Sequence, residues 1–299
     1  MNQDNVPQDE PRYRYARSRR DGTQADVSRS GNFRALSPFA VYPGRIPIPG
    51  RMSYIFRWHW EQGDDWLDGT ADSVDGVWQG LKCLESGTEE RLFRGQPKKR
   101  RGRKQGHLFA DYRLLDDGQA RALIYIPAYL EMLRQQSEVI ARLDPTVDIV
   151  DVRYQPEPLG PKPLSHAALL VDYLNGALQP YEESHLRLLN LAERMHQRYL
   201  QAASDSDQSP VADELIEIGE RVKALGFPST ESYATCARLF ERENLILMAT
   251  SVAGCPEEVL PMTTLFRQWR CDGLLTREQA RALAASTPMS RLGNWWAEE

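Results

Sequence analysis

Residues 73–82 read SVDGVWQGLK and residues 91–107 read RLFRGQPKKRRGRKQGH. In the first stretch Ser73 stands where an N-cap belongs, and Val74, Val77, Trp78, Leu81 and Leu84 recur at three- and four-residue spacing, which predicts an amphipathic helix over 74–85. Asp75, Gln79 and Lys82 then share the other face. The second stretch carries Gly95, Pro97, Gly102 and Gly106, which would interrupt a helix repeatedly, so residues 91–106 read as a loop. An acid and a lysine on one helix face thus lie next to a loop of cations.

Toward the N-terminus, residues 1–30 are rich in Arg, Asp, Gln and Ser and nearly free of periodic apolar residues, which predicts a flexible basic arm. Residues 32–50, NFRALSPFAVYPGRIPIPG, break short apolar runs with Pro and Gly and read as extended, turn-rich chain that lines a cleft. The aromatic run MSYIFRWHW at 52–60 is a candidate strand, followed by the loop GDDWLDGTAD.

Toward the C-terminus, residues 116–144 read as two helical pieces hinged at Pro127, and VDIVDV as a short buried strand. The Pro-rich text YQPEPLGPKPLSHA leads into a helix ending near Gly176. From Tyr181 onward amphipathic helical patterns follow one another, separated by SDSDQSP, FPST, AGCPEE and CDG, with no fixed repeat period. The expected fold class is α+β: a predominantly helical N-terminal domain with a few short strands over 31–178, then an all-α domain over 179–299.

The 299 residues are 41% hydrophobic, enough to bury a core, and their net charge of −5 conceals an asymmetry. Residues 1–113 hold 20 Lys and Arg against 15 Asp and Glu, while residues 114–299 hold 17 against 27. An anion site therefore belongs in the front part and must be local, because the whole chain is not basic. No window approaches a membrane span and the opening residues MNQDNVPQDEPRYRYARSRRDG hold no apolar segment that could serve as a signal peptide, so a cytoplasmic protein is expected. Cys83, Cys236, Cys255 and Cys271 show no metal-ligand spacing, and neither metal nor cofactor is expected.

Asp75 is the candidate carboxylate for directing water or stabilising cationic character on a sugar, with Lys82 two helical turns away on the same face. A first-turn acid also suits the helix dipole for purely structural reasons. His107 is a candidate acid or base, although a lone histidine is often a structural hydrogen-bonding group. Trp78, Gln79, Arg100, Arg101, Arg103, Lys104 and His166 complete the expected substrate-binding set. At helical spacing Trp78 also fits a core position, and a cationic run is commonly a solvated face. The absence of a Walker loop, GxGxxG after a strand, HExxH or GxSxG argues against several large enzyme classes.

The texts SPF, YPGRIPIPG, SVDGVWQGLK, RKQGH, ARALIYIPAY and PLSHA, in this order, resemble a family of uncharacterised bacterial and archaeal proteins with a domain of unknown function, over residues 36–176. A more distant resemblance is to the NADAR family of N-glycosidases, whose pattern pairs a Leu-Ser-Asn-Phe-type stretch with a Ser-Val-Glu helix bearing a lysine. LSPF at 36–39 and SVDGVWQGLK are similar, with Pro38 in place of the asparagine and Asp75 in place of the glutamate. The family's later acidic motif has Asp148 or Asp151 as its nearest counterpart. The resemblance implies an N-glycosidase-like hydrolase acting on a nucleotide or nucleobase-containing anion, with Asp75 and Lys82 catalytic; His107, from the residues alone, is the reserve acid or base of the catalytic set.

The alternative from the residues is a non-catalytic nucleic-acid-binding or adaptor protein. Its arm and basic loop would grip phosphates, Tyr13, Tyr15, Trp58 and Trp60 would stack on bases, and the C-terminal helices would dock a protein partner. A degenerate enzyme retained for assembly is a third reading.

Overall fold

The structure is a computed structural model that describes residues 12–16, 23–51, 69–110, 113–151, 165–202, 211–228, 232–252 and 256–286. The candidate strand at 52–60, with Trp58 and Trp60, lies outside them. Strands β1 (Tyr15–Ala16) and β2 (Ala25–Asp26) open the described chain, followed by β3 (Ile46–Pro47) and β4 (Thr70–Ala71), an antiparallel pair. Helix α1 (Val74–Leu81) leads into β5 (Lys82–Leu84), β6 (Lys104–Phe109) and β7 (Arg113–Leu115), a three-stranded antiparallel sheet. Then come α2 (Asp117–Ala120), a π turn (Arg121–Tyr125), α3 (Ile126–Gln135), α4 (Ser137–Ile140) and β8 (Ile149–Val150). Helix α5 (His166–Leu174) precedes the helical back: α6 (Gln179–Ala202), α7 (Ala212–Leu225), α8 (Tyr233–Ser251), α9 (Pro256–Cys271) and α10 (Arg277–Ser286). The fold is α+β and rich in helix, with the C-terminal part all helical, as the periodicity predicts.

Four local expectations change. Part of the segment read as a flexible arm is paired: β1 and β2 both run parallel to β8, which lies between them. Two-residue strands leave no periodicity to read, and their partner lies more than 120 residues away in sequence. The helix read over 74–85 ends at Leu81, because Lys82 turns extended (φ −63°, ψ 117°) and pairs with β6. The basic segment is a loop only in its middle. Its start, Glu90–Phe93, is a 3-10 turn, and Lys104 onward is strand. The hinge at Pro127 is instead a π turn just before it, where the Ile126 amide donates to the Arg121 carbonyl five residues back. Proline cannot donate to residue 123, so regular α bonding lapses there without a break in the helical path.

One buried cluster runs from Ala25 to Ala284 through both parts of the chain. At its centre, Glu241, Arg242, Glu243 and Asn244 of α8 are all 1–2% exposed. Charges this deep require partners. Glu241 takes Arg187 from α6 at 2.9 Å and Arg221 from α7, and Glu243 takes Arg242 and, at 2.5 Å, Arg113 from β7. The Tyr181 hydroxyl on α6 donates to the Ala122 carbonyl of the π turn at 3.1 Å. The helical back thus grips the elements that carry the candidate site.

Helix α1 packs closely on the 3-10 turn because Gly76 and Gly80 present no side chain to it. A Cβ on Gly80 would stand 2.3 Å from the Phe93 ring, and one on Gly76 would stand 2.9 Å from the Leu92 carbonyl oxygen. Gly80→Ala is therefore expected to lower stability by about 1–3 kcal/mol, the usual cost of overpacking. Chemical denaturation checks this, and Gly80→Ala with Phe93→Leu is expected to recover part of the loss.

Candidate functional site

Asp75 enters the site from the first turn of α1. The Ser73 hydroxyl caps the helix by accepting from the Gly76 amide at 3.0 Å, and the Asp75 amide donates to the Pro38 carbonyl at 2.9 Å. The LSPF segment is thereby fixed against the helix start. The Asp75 side chain is 9% exposed, and Gln79 Nε2 donates to its Oδ1 at 3.3 Å. Burial lifts its carboxyl above the ordinary 3.8, opposed by the Gln79 hydrogen bond and then by the charges of Lys99, Arg29 and Lys82. Asp75 is turned inward and lies within electrostatic reach of three cations.

Gln79 is a buttress. Its Oε1 accepts from the Arg100 amide at 3.2 Å while its amide group holds Asp75. Lys82, one residue past the helix, donates from Nζ to the Arg100 carbonyl at 3.0 Å. Burial, then Lys99 and Arg100, depress its ammonium pKa, with Asp75 pulling the other way.

Of the basic run, Arg100 is the residue most fully committed to structure. Its side chain is 8% exposed, donates to the Lys82 and Gly87 carbonyls and to Ser86 Oγ, and pairs with Glu89 at 3.3 Å. The ligand role expected of Arg100 is therefore corrected: its donors already have partners. Lys98, Lys99, Arg101 and Arg103 are exposed and make no ion pair among the described residues. Lys104 differs again, standing in β6 with Nζ 5.4 Å from the Trp78 ring and in contact with Asp117. Burial, Lys82 and Arg121 push its ammonium down to about 8 against the pull of Asp116. Asp117 is well exposed, and water screens its charge too strongly for it to reverse this.

Strand register places His107 opposite Lys82. The imidazole is fully buried, its centroid 3.8 Å from that of Trp78. Burial, Lys104 and Lys82 drive its pKa down to about 3, and the nearby Trp78 backbone opposes this weakly without closing a well-formed hydrogen bond to either ring nitrogen. At neutral pH His107 is therefore a neutral imidazole and not an imidazolium, which leaves it a weak acid and a weak base for the acid or base role expected of it. Trp78 is half-buried rather than a core residue: it meets Tyr125 edge-on at 5.5 Å, and Tyr125 stacks on Tyr129 at 6.2 Å.

His166 lies apart from this group. Its Nδ1 is 3.0 Å from Asp151 Oδ2 and its Nε2 is 3.1 Å from the Val27 carbonyl. Both ring nitrogens are occupied, so His166 joins α5 to the ends of β2 and β8 instead of offering itself to substrate. Asp151 is held in the same contact, and Asp148 lies 3.6 Å from Arg14. Sequence reading missed Tyr125. Burial, then Asp75 and Asp151, raise its phenol pKa, so the hydroxyl stays protonated near both carboxylates. The only sequence signal for it was IYIPAY, where a proline follows two residues after the tyrosine. Among the described residues no group of three or more His, Cys, Asp or Glu could hold a metal, and no helix is long and apolar enough to cross a membrane.

A neutral buried His107 makes stability depend on acid. Between its ordinary 6.5 and about 3 the unfolded chain binds a proton that the folded chain does not, so stability falls as pH drops through that window. The contribution of this one group has a limiting slope of about 1.4 kcal/mol per pH unit. Urea unfolding at pH 7, 6, 5 and 4 is expected to show this loss, and His107→Gln to show a shallower one.

No curated protein and no solved structure matches the chain, so the NADAR likeness gains no support there. What does match is the segment carrying α1, the basic loop, the π turn and the start of α5: residues 65–170 fit the model of a family of unknown function, DUF6939.

Proposed function

We propose that the protein is an N-glycosidase-like hydrolase acting on a nucleotide or other nucleobase-containing anion. The observation that carries this reading is Asp75: a carboxylate nearly withdrawn from water, oriented by Gln79, and within the field of Lys82, Lys99 and Arg29. A desolvated carboxylate interacts strongly with positive charge developing on a sugar ring, because little solvent screens it. In the proposed reaction a water oxygen bonds to the anomeric carbon as the carbon–nitrogen bond breaks. Asp75 accepts the water proton, and the departing electron pair stays on the nucleobase nitrogen, which takes up a proton. Lys82 and the unpaired cations Lys99, Arg101 and Arg103 hold the anionic part of the substrate, with Trp78 and Tyr125 as ring surfaces nearby. His107 positions Trp78.

The four exposed cations of the loop also favour a second reading, a phosphate-gripping surface for nucleic acid without catalysis. That surface would bind polymer more tightly than mononucleotide, with steep salt dependence.

Asp75→Asn is expected to lower release of free base from nucleoside monophosphates by at least about 100-fold, the usual range for a proton-handling group, while thermal unfolding changes little. Since burial raises the carboxyl, the acidic limb of the wild-type rate profile is expected above 3.8. Undiminished turnover by Asp75→Asn, or no base release by the wild type, overturns the hydrolase reading.

A further inference from the structure

Residues 34–42 wall a cavity of about 300 Å3 that the reaction above does not use. Its lining includes Arg29, Arg34, Ser37, Phe39, Tyr42 and Gln96, with small aliphatic side chains between them. Arg29 is held in place: it donates to Gln96 Oε1 at 2.6 Å, and Gln96 Nε2 donates to the Phe39 carbonyl at 3.3 Å. The Arg34 guanidinium is exposed and has no hydrogen-bond or ion-pair partner among the described residues. Among the described residues no carboxylate lines the cavity, so two positive charges share it without an acidic group in its wall. Apart from Ser37 and Gln96, the remaining wall is apolar or aromatic. Tyr42 offers its ring rather than its hydroxyl, which donates to the Ala35 carbonyl, and burial keeps the phenol protonated.

A ligand matching these walls has a flat or apolar body and a compact anionic group. Guanidinium pairs bind phosphate with directed, charge-assisted hydrogen bonds. The volume is at the lower end for small-molecule sites, about 300–1,000 Å3, which fits a mononucleotide and does not enclose a polymer. The wall is also tied to the candidate site, because Pro38 accepts from the Asp75 amide and the Arg29 charge acts on the Asp75 carboxyl.

We propose that this cavity binds a small organic phosphate of nucleoside monophosphate type, with the phosphate between Arg29 and Arg34 and the ring against Phe39 and Tyr42. The site stands on binding alone and does not require Asp75 to be catalytic. Isothermal titration of the full chain with adenosine 5′-monophosphate, adenosine and inorganic phosphate tests it. The monophosphate is expected to bind at least about tenfold more tightly than adenosine, the factor for one charge-assisted hydrogen bond. Arg34→Gln, at an exposed side chain with no partner to lose, is expected to remove most of that advantage. Phe39→Ala is expected to weaken the monophosphate while leaving inorganic phosphate unchanged. Equal binding of adenosine and its monophosphate, an unaffected Arg34→Gln, or preferred binding of a ten-nucleotide RNA regardless of residue 34 overturns the proposal. Intact binding with no base release by any variant would sink the hydrolase reading and leave this site standing.

Discussion

The guanidinium of Arg100 organises the front of this protein. It is nearly buried, and each of its hydrogen-bonding edges meets a carbonyl, a hydroxyl or the Glu89 carboxylate. A buried cation is tolerated only with such partners, so the backbone around it has little freedom. That backbone in turn receives Lys82 at its carbonyl and holds Gln79 by its amide, and Gln79 orients Asp75. The flanking cations reach the carboxylate because this one residue pins the loop to the helix.

A second set of buried charges fixes the helical back against that front. Glu241 and Glu243 lie in a continuously buried stretch of helix, residues 239–246, and are neutralised by arginines from α6, α7 and β7. Desolvation offsets much of the Coulomb gain, whereas stripping one partner would strand a charge at about 3–5 kcal/mol. These pairs and the Tyr181 contact hold the π turn, which presents Tyr125 to Trp78 on one side and to Tyr129 on the other.

The parts of this arrangement legible in the sequence are those set by local chemistry. The Ser73 cap, the Asp75–Gln79 face and the helical periodicity after Tyr181 follow from spacing alone, and the structure contains each of them. What escaped was decided by partners far away in the chain. Six cations within seven residues look interchangeable as letters, and only the partners it meets at Lys82, Gly87 and Glu89 single out Arg100. Lys82 reads as helix until β6 offers it a strand to pair with. His107 reads as an acid–base group, and the burial beside Trp78 that holds its imidazole neutral leaves no mark in the letters. The run ERE within α8 carries no sign in its periodicity of the arginines that pair with it.

The π turn fits one more residue into a helical circuit than an α turn does. Deleting a single residue there would restore ordinary winding with both flanks still in phase, and only the side chains within the turn itself would change direction. Tyr125 would then face a different neighbour even though the tyrosine itself remained. The aromatic contact between the two halves is therefore written into chain length as much as into residue identity, and related chains differing by one residue at this point would not share it.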